Sequence, residues 1–259
     1  MDKNILMKWY LDNGIYDIIE QVPFCHFEKK DVLEPINIKI IEEKGTKNEN
    51  KIVEKPINDV NKKIIYARKL ADDCNTLNEL REKIENFNQL DIEKLAKNVV
   101  FADGNVESKV MLIGEAPGAD EDERGIPFCG ESGKLLMEMF KSIGYERSKL
   151  YIANTLFWRP PGNRTPTKEE IAICRPFIEK HIALKQPKII ICVGATAFSN
   201  IIDSNLSITS ARKQVFEYKN QYITRPIKTI AIFHPSYLLR VSVKKKDAWQ
   251  DMLFIKNSI

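Results

Sequence analysis

From Asn98 onward the chain carries four short apolar runs, "VMLIG" (110–114), "LYIAN" (150–154), "IIICVG" (189–194) and "TIAIFH" (229–234). Each ends in turn residues, usually followed by a helical pattern. Runs that are apolar at nearly every position, rather than at alternate ones, suit strands covered on both faces. Their alternation with helices predicts an α/β fold with a central four-stranded parallel sheet between helical layers. Helices fit "GKLLMEMFKSIG", "TKEEIAICRPFIEKHIALK" and "ATAFSNII". The second has a start signal: Pro166, Thr167 as N-cap, and Glu170 three residues on.

The upstream third has a different texture. Residues 1–27 predict a short amphipathic helical extension, with Ile5, Leu6, Trp9, Tyr10, Ile15 and Ile18 as its apolar positions. Residues 28–62 are dense in mixed charge and poor in large apolar side chains, which predicts a linker. The α/β domain is then expected over 63–259. It opens on a helical pattern that breaks near Asn75-Thr76, where Thr76 caps a second helix with Glu79 at its third position.

Composition narrows the class. The chain has 259 residues, 43% hydrophobic and 29% charged, as a globular protein has. No apolar run approaches the ~20 residues of a membrane helix, and no secretion signal is read at the N-terminus. A cytoplasmic protein is expected. A net charge of +4 is compatible with nucleic acid without arguing for it. Five cysteines with no C-x-x-C speak against a disulfide framework and a locally encoded zinc site.

In open α/β sheets the ligand site lies beyond the carboxyl ends of the strands. Here those ends carry Gly114-Glu115, Asn154, Gly194 and His234. Each polar residue has a plainer reading: Glu115 as a helix cap, Asn154 as a turn residue, His234 as a satisfied hydrogen-bonding histidine. An acid, an amide and an imidazole converging on one rim favour a site. The loop after the first run, "EAPGADEDERGIPFCGES", lacks the G-x-x-x-x-G-K-[ST] of a phosphate loop and the G-x-G-x-x-G of a dinucleotide site. Its acidic run Asp120–Glu123 reads mostly as solvated surface, not a metal site. Such a loop suits an uncharged planar ligand, with Phe128 stacking on its face; a nucleobase has these properties.

The stretches "GEAPGADEDERGIPFCGESGKLL", "YIANTLFWRPPGNRTPTKEEIAICRPFIEKHI" and "FHPSYLLR" resemble the motifs of family 4 uracil-DNA glycosylases, over roughly Asn98 to Phe254. The resemblance implies a three-layer α/β/α fold and hydrolysis of the N-glycosidic bond of flipped-out deoxyuridine in DNA. It implies roles as well. Glu115 positions the attacking water and stabilises the cationic sugar. Amides around Ala116 bind a uracil carbonyl. Glu121 helps exclude the thymine methyl, Phe128 stacks on the base and Asn154 reads its edge. His234 holds uracil O2 as negative charge builds. Pro235, Ser236, Leu238, Leu239 and Arg240 form the DNA-penetrating segment, with Leu238 or Leu239 filling the vacated stack. Arg240 and Lys244–Lys246 meet phosphates. The partner implied is uracil-containing DNA, met by a monomer.

The chain departs from the family at its iron–sulfur cluster. Family members place four cysteines around it; the matching positions here are Phe87, Leu90, Trp158 and Cys174. One thiolate cannot hold such a cluster. An apolar plug without iron is expected, hence a glycosylase with no cofactor or metal. Cys129 stands where the family usually has Val and reads as a small packing residue. No basic insert ending in His follows "PPGNRTP", so a covalent trap for DNA is not expected. Two other functions stay open: a non-catalytic module recognising uracil or damaged DNA, and a glycosylase with altered base choice, such as hypoxanthine or xanthine.

Overall fold

The computed structural model describes residues 59–259. The helix expected over 1–27, Cys25 and most of the expected linker lie outside the described residues. The first described helix, α1 (Asp59–Asp72), begins inside the stretch read as linker. Its charged positions are the outer face of an amphipathic helix: Ala67 and Ala71 are buried, while Lys63 pairs with Asp59 at 3.1 Å. The break at Asn75-Thr76 is present. Thr76 Oγ1 accepts from the Glu79 N–H at 3.2 Å, the Glu79 carboxylate accepts from Asn75 N–H at 2.7 Å, and α2 (Leu77–Glu85) follows. The short α3 (Asp91–Leu95) completes this helical entry.

The sheet has six strands in the order β1-β3-β2-β4-β6-β5. Its centre is the expected parallel set: β2 (Val110–Gly114), β3 (Tyr151–Asn154), β4 (Ile189–Val193) and β6 (Ile227–Ile232). Two antiparallel edge strands correct the count of four: β1 (Ala102–Gly104) beside β3, and β5 (Phe216–Tyr218) beside β6. Each edge has three residues, "ADG" and "FEY", too short and too polar to stand out as an apolar run. Such edges are recognised by the partner they pair with, not by their own pattern.

Alternate residues of the central strands face opposite layers, as the pleat requires. Val110, Leu112, Ile152, Ile191 and Ile230 pack with Leu136 and Phe140 of α5 (Glu131–Lys141) and Met252 and Ile255 of the C-terminal helix α10 (Lys245–Lys256). Met111, Ile113, Ala153, Ile190 and Cys192 face the other way. They meet Ile178 and Ile182 of α6 (Lys168–Lys185) and Phe198 of α7 (Ala195–Ile202). Both faces are therefore dry, which explains strands apolar at every position. The N-cap predicted for α6 is a full capping box: Thr167 Oγ1 accepts from Glu170 N–H at 3.1 Å and the Glu170 carboxylate accepts from Thr167 N–H at 2.8 Å.

A separate apolar cluster joins α1, α2 and α6 to the loop after β3. It contains Phe87, Leu90, Trp158 and Cys174, all buried. Phe87 stacks on Trp158 at 6.1 Å and meets Phe177 edge-on at 5.0 Å.

Candidate active site

The carboxyl ends of the parallel strands open into a cleft of about 730 Å³. Glu115, Ala116, Glu121, Phe128, Asn154, Ser236, His234 and Arg240 all line it. The first strand end is laced to the second by backbone bonds. Thr155 N–H donates to Gly114 O at 2.9 Å, Leu156 N–H donates to Glu115 O at 3.1 Å, and Thr155 Oγ1 donates to Glu115 O at 2.6 Å. The Glu115 backbone is thereby held at the cleft, which Asn154, 2% exposed, also lines.

Two glycines, each the last residue of an apolar run, shape the floor. A Cβ on Gly114 would collide with Asn154 Oδ1 and lie 2.6 Å from Phe128 Cζ. The amide and the aromatic ring thus converge over the end of β2, leaving no room for any side chain there. Gly194 has φ +101°, and a Cβ on it would lie 3.0 Å from His234 Cβ. It brings the end of β4 against the imidazole. The signal available in the sequence was position: both glycines end an apolar run.

Phe128 adopts φ +50°, the left-handed region that a bulky L-residue disfavours. Its ring is buried and lies 5.9 Å from the His234 ring, tilted by 34°. Both rings line the cleft.

Beyond the short helix α8 (Ile208–Ala211), His234 follows the last residue of β6 by two positions and caps the short helix α9 (Pro235–Arg240). Its Nδ1 accepts from the Ser236 backbone N–H at 3.2 Å, with Ser236 Oγ at 2.8 Å. A backbone N–H can only donate, so Nδ1 carries no proton and the neutral ring keeps its proton on Nε2. Burial, aided by the positive charge of Arg240, pushes the pKa down to about 4. The ring is a neutral donor at physiological pH.

Glu121 has a second task. The acidic run expected as loop is the short helix α4 (Ala119–Arg124); one Glu121 carboxylate oxygen accepts from Gly118 N–H at its start at 3.1 Å and the other from Gly130 N–H beyond its end at 3.3 Å. Asp122 departs from the solvated-surface reading. It is 3% exposed and accepts from Lys97 N–H at 2.8 Å and Asn98 N–H at 3.3 Å. Its charge is spent on backbone donors of the segment before β1, a pairing that adjacent acidic letters cannot reveal. Arg164, also at the cleft, is held by Glu170 in a two-pronged pair at 2.6 and 2.9 Å.

The segment expected as a DNA-penetrating loop folds as α9, with Pro235 in its first turn. Burial separates the two leucines. Leu238 is 1% exposed and packs with Phe233 and Ala248, whereas Leu239 is 48% exposed. Of the two, Leu239 is the one that projects free of the core, and Leu238 is part of it. Lys244 is paired with Asp247 at 2.9 Å, leaving Lys245 and Lys246 as the more exposed cations of that run.

The model of the uracil DNA glycosylase superfamily matches residues 101–253. A type-4 uracil-DNA glycosylase of Thermotoga maritima is 42% identical over 144 residues, covering 55% of this chain and 72% of the relative. One from Archaeoglobus fulgidus is 36% identical over 168 residues, covering 63% and 83%. The chain belongs to the uracil-DNA glycosylase superfamily, type 4.

The iron–sulfur cluster implied by the family resemblance does not fit the described residues at the matching positions. Of the matching positions only Cys174 offers a thiol; it is fully buried and burial pushes its pKa up. Cys74 lies in the same apolar cluster, but its thiol is turned to Leu70 O at 3.1 Å. Among the described residues, no group of three or more His, Cys, Asp or Glu is placed to hold a metal ion. Phe87, Leu90 and Trp158 occupy that space as packed hydrophobic volume.

Proposed function

We propose that this type-4 family member hydrolyses the N-glycosidic bond of deoxyuridine in DNA, releasing uracil and leaving an abasic site. The observation that carries the reading is the convergence of Glu115, Asn154, His234 and Phe128 on one cleft at the strand ends. The flipped base stacks on Phe128. Asn154 accepts from uracil N3–H and donates to O4. Cytosine presents the reverse pattern and would leave buried groups unpaired. His234 Nε2–H meets O2, where negative charge gathers as the bond breaks. A preorganised donor at such a position is typically worth ~3–4 kcal/mol of transition-state stabilisation. Glu115 faces the sugar, orients water and offsets the oxocarbenium charge. Glu121, with the loop it closes, limits space beside C5. Leu239 fills the vacated stack, and Arg240 with Lys245 and Lys246 meets phosphates. Flipping costs a few kcal/mol, which these contacts offset.

No step in this chemistry passes through a metal, and the enzyme acts as a cofactor-free monomer. Cytoplasmic residence is in keeping with the free, buried thiols of Cys74, Cys174 and Cys192.

The test is a strand-break assay. A labelled oligonucleotide with one U opposite G, and an all-T control, is incubated with chelator-treated protein and then cleaved with alkali. A break only at U is expected. Binding without a break would replace this reading with a recognition module; a break at hypoxanthine or xanthine but not at U would assign a different base.

A further inference from the structure

The strained backbone of Phe128 is held from outside the cleft. Arg147 opens the 3-10 turn Arg147–Lys149 before β3 and does not line the cleft. Its guanidinium makes three bonds at once. Nη2 donates to Pro127 O at 2.7 Å, Nη1 donates to Phe128 O at 3.2 Å, and Nε donates to Asp103 Oδ2 of β1 at 2.6 Å. On its other side the Phe128 carbonyl presses on α5, where a Cβ on Gly133 would collide with it. Without a clamp, a residue at φ +50° would relax towards an ordinary conformation and swing the ring away from Gly114 and His234.

We infer that Arg147, oriented by Asp103, is a positioning residue that fixes the Phe128 ring for stacking on the flipped base. The inference rests on the uracil-excision reading for its kinetic test. A rigid planar fork suits the task, because it addresses two successive carbonyls and a carboxylate together. A lysine ammonium, a point charge on a flexible stem, cannot hold that geometry. This also gives the antiparallel edge strand β1 a use: it carries the carboxylate that aims the fork.

The test is a double-mutant cycle of Arg147→Gln and Phe128→Leu, read in excision of U and in inhibition by free uracil. Arg147→Gln is expected to lower kcat by about 10–100-fold, the scale set by small misplacements of a bound reactant. It should weaken inhibition by uracil by roughly tenfold while changing affinity for DNA with a tetrahydrofuran abasic analogue less than about twofold, since that ligand has no base to stack. In the Phe128→Leu background the same substitution should cost less than about threefold, because coupled residues are not additive. Arg147→Lys should recover only part of the loss. Equal losses in both backgrounds, or parallel loss of affinity for the abasic analogue, would reduce Arg147 to a general structural role. If the wild type makes no break at U, the glycosylase reading fails separately. The cycle is then read in the preference for a U-containing over a T-containing oligonucleotide, where additivity again overturns the inference.

Discussion

The cleft and the apolar cluster beneath α1, α2 and α6 are built to opposite rules. The cleft depends on direction. Glu115 O is held by two donors, Glu121 ties two glycine N–H groups, Nδ1 of His234 is occupied by Ser236, and Arg147 grips two carbonyls. It also depends on absence of volume, at Gly114 and Gly194. The cluster depends on volume alone. Phe87, Leu90 and Trp158 are buried at 4, 7 and 3% exposure and contribute packed surface rather than aimed polar groups. A polar site fails when one group is turned or crowded. An apolar region accepts another filling of similar size, since apolar burial is non-directional. That difference explains how residues unfit for an iron–sulfur cluster coexist with an intact cleft.

The largest effect is expected where the cleft has no slack. Gly114→Ala drives a methyl into Asn154 and the Phe128 ring, and should lower uracil excision by at least about 10²-fold with a modest change in Tm. An alanine variant with the wild-type rate would mean that the cleft repacks as freely as the cluster does.

Asn154→Asp keeps shape and changes polarity: a carboxylate accepts from N3–H but repels O4. Excision of uracil should fall by about 10²-fold or more, as expected when a buried partner is lost, and some excision of cytosine should emerge. Unchanged uracil excision would remove Asn154 from base reading.

The cluster should answer in stability instead. Trp158→Ala is expected to cost about 3–5 kcal/mol of folding free energy, by denaturant titration, while the folded fraction keeps its excision rate. Metal analysis should find no iron, and chelators should leave both Tm and excision unchanged. Stoichiometric iron with absorption near 400 nm would overturn the volume-only account.

The smallest effect concerns acid. His181 is fully buried between Phe101 and Tyr151, and burial holds its pKa down at about 3. His234 is held at about 4. The unfolded chain protonates both near their ordinary value of ~6.5, so stability is fully present above that pH and is lost as pH falls towards the folded values. Each histidine contributes a slope of up to about 1.4 kcal/mol per pH unit in that window. Glu93, pushed up to about 7 by burial, acts with the opposite sign, so the diagnostic is a difference. Between pH 6 and 4, His181→Phe should lose stability less steeply than the wild type in denaturant titrations. Equal slopes would mean that His181 is charged in the folded protein.

The local code wrote the central strands, the break at Thr76 and the box at Thr167 and Glu170, because each is decided by neighbours within a turn or by burial on both faces. The strand-end rule then led to Glu115, Asn154 and His234 as cleft residues, since a parallel sheet places all its carboxyl ends on one rim. What separates Leu238 from Leu239, buries Asp122, adds the edge strands and joins Arg147 to Phe128 and Asp103 is contact between segments far apart in the chain. Two adjacent leucines on a six-residue helix have equal hydrophobicity; the cluster of Phe233 and Ala248, against which Leu135 and Met139 of α5 pack, decides which one faces inward. A strained φ likewise has no local signature, because its stability is supplied by the partners that close around it.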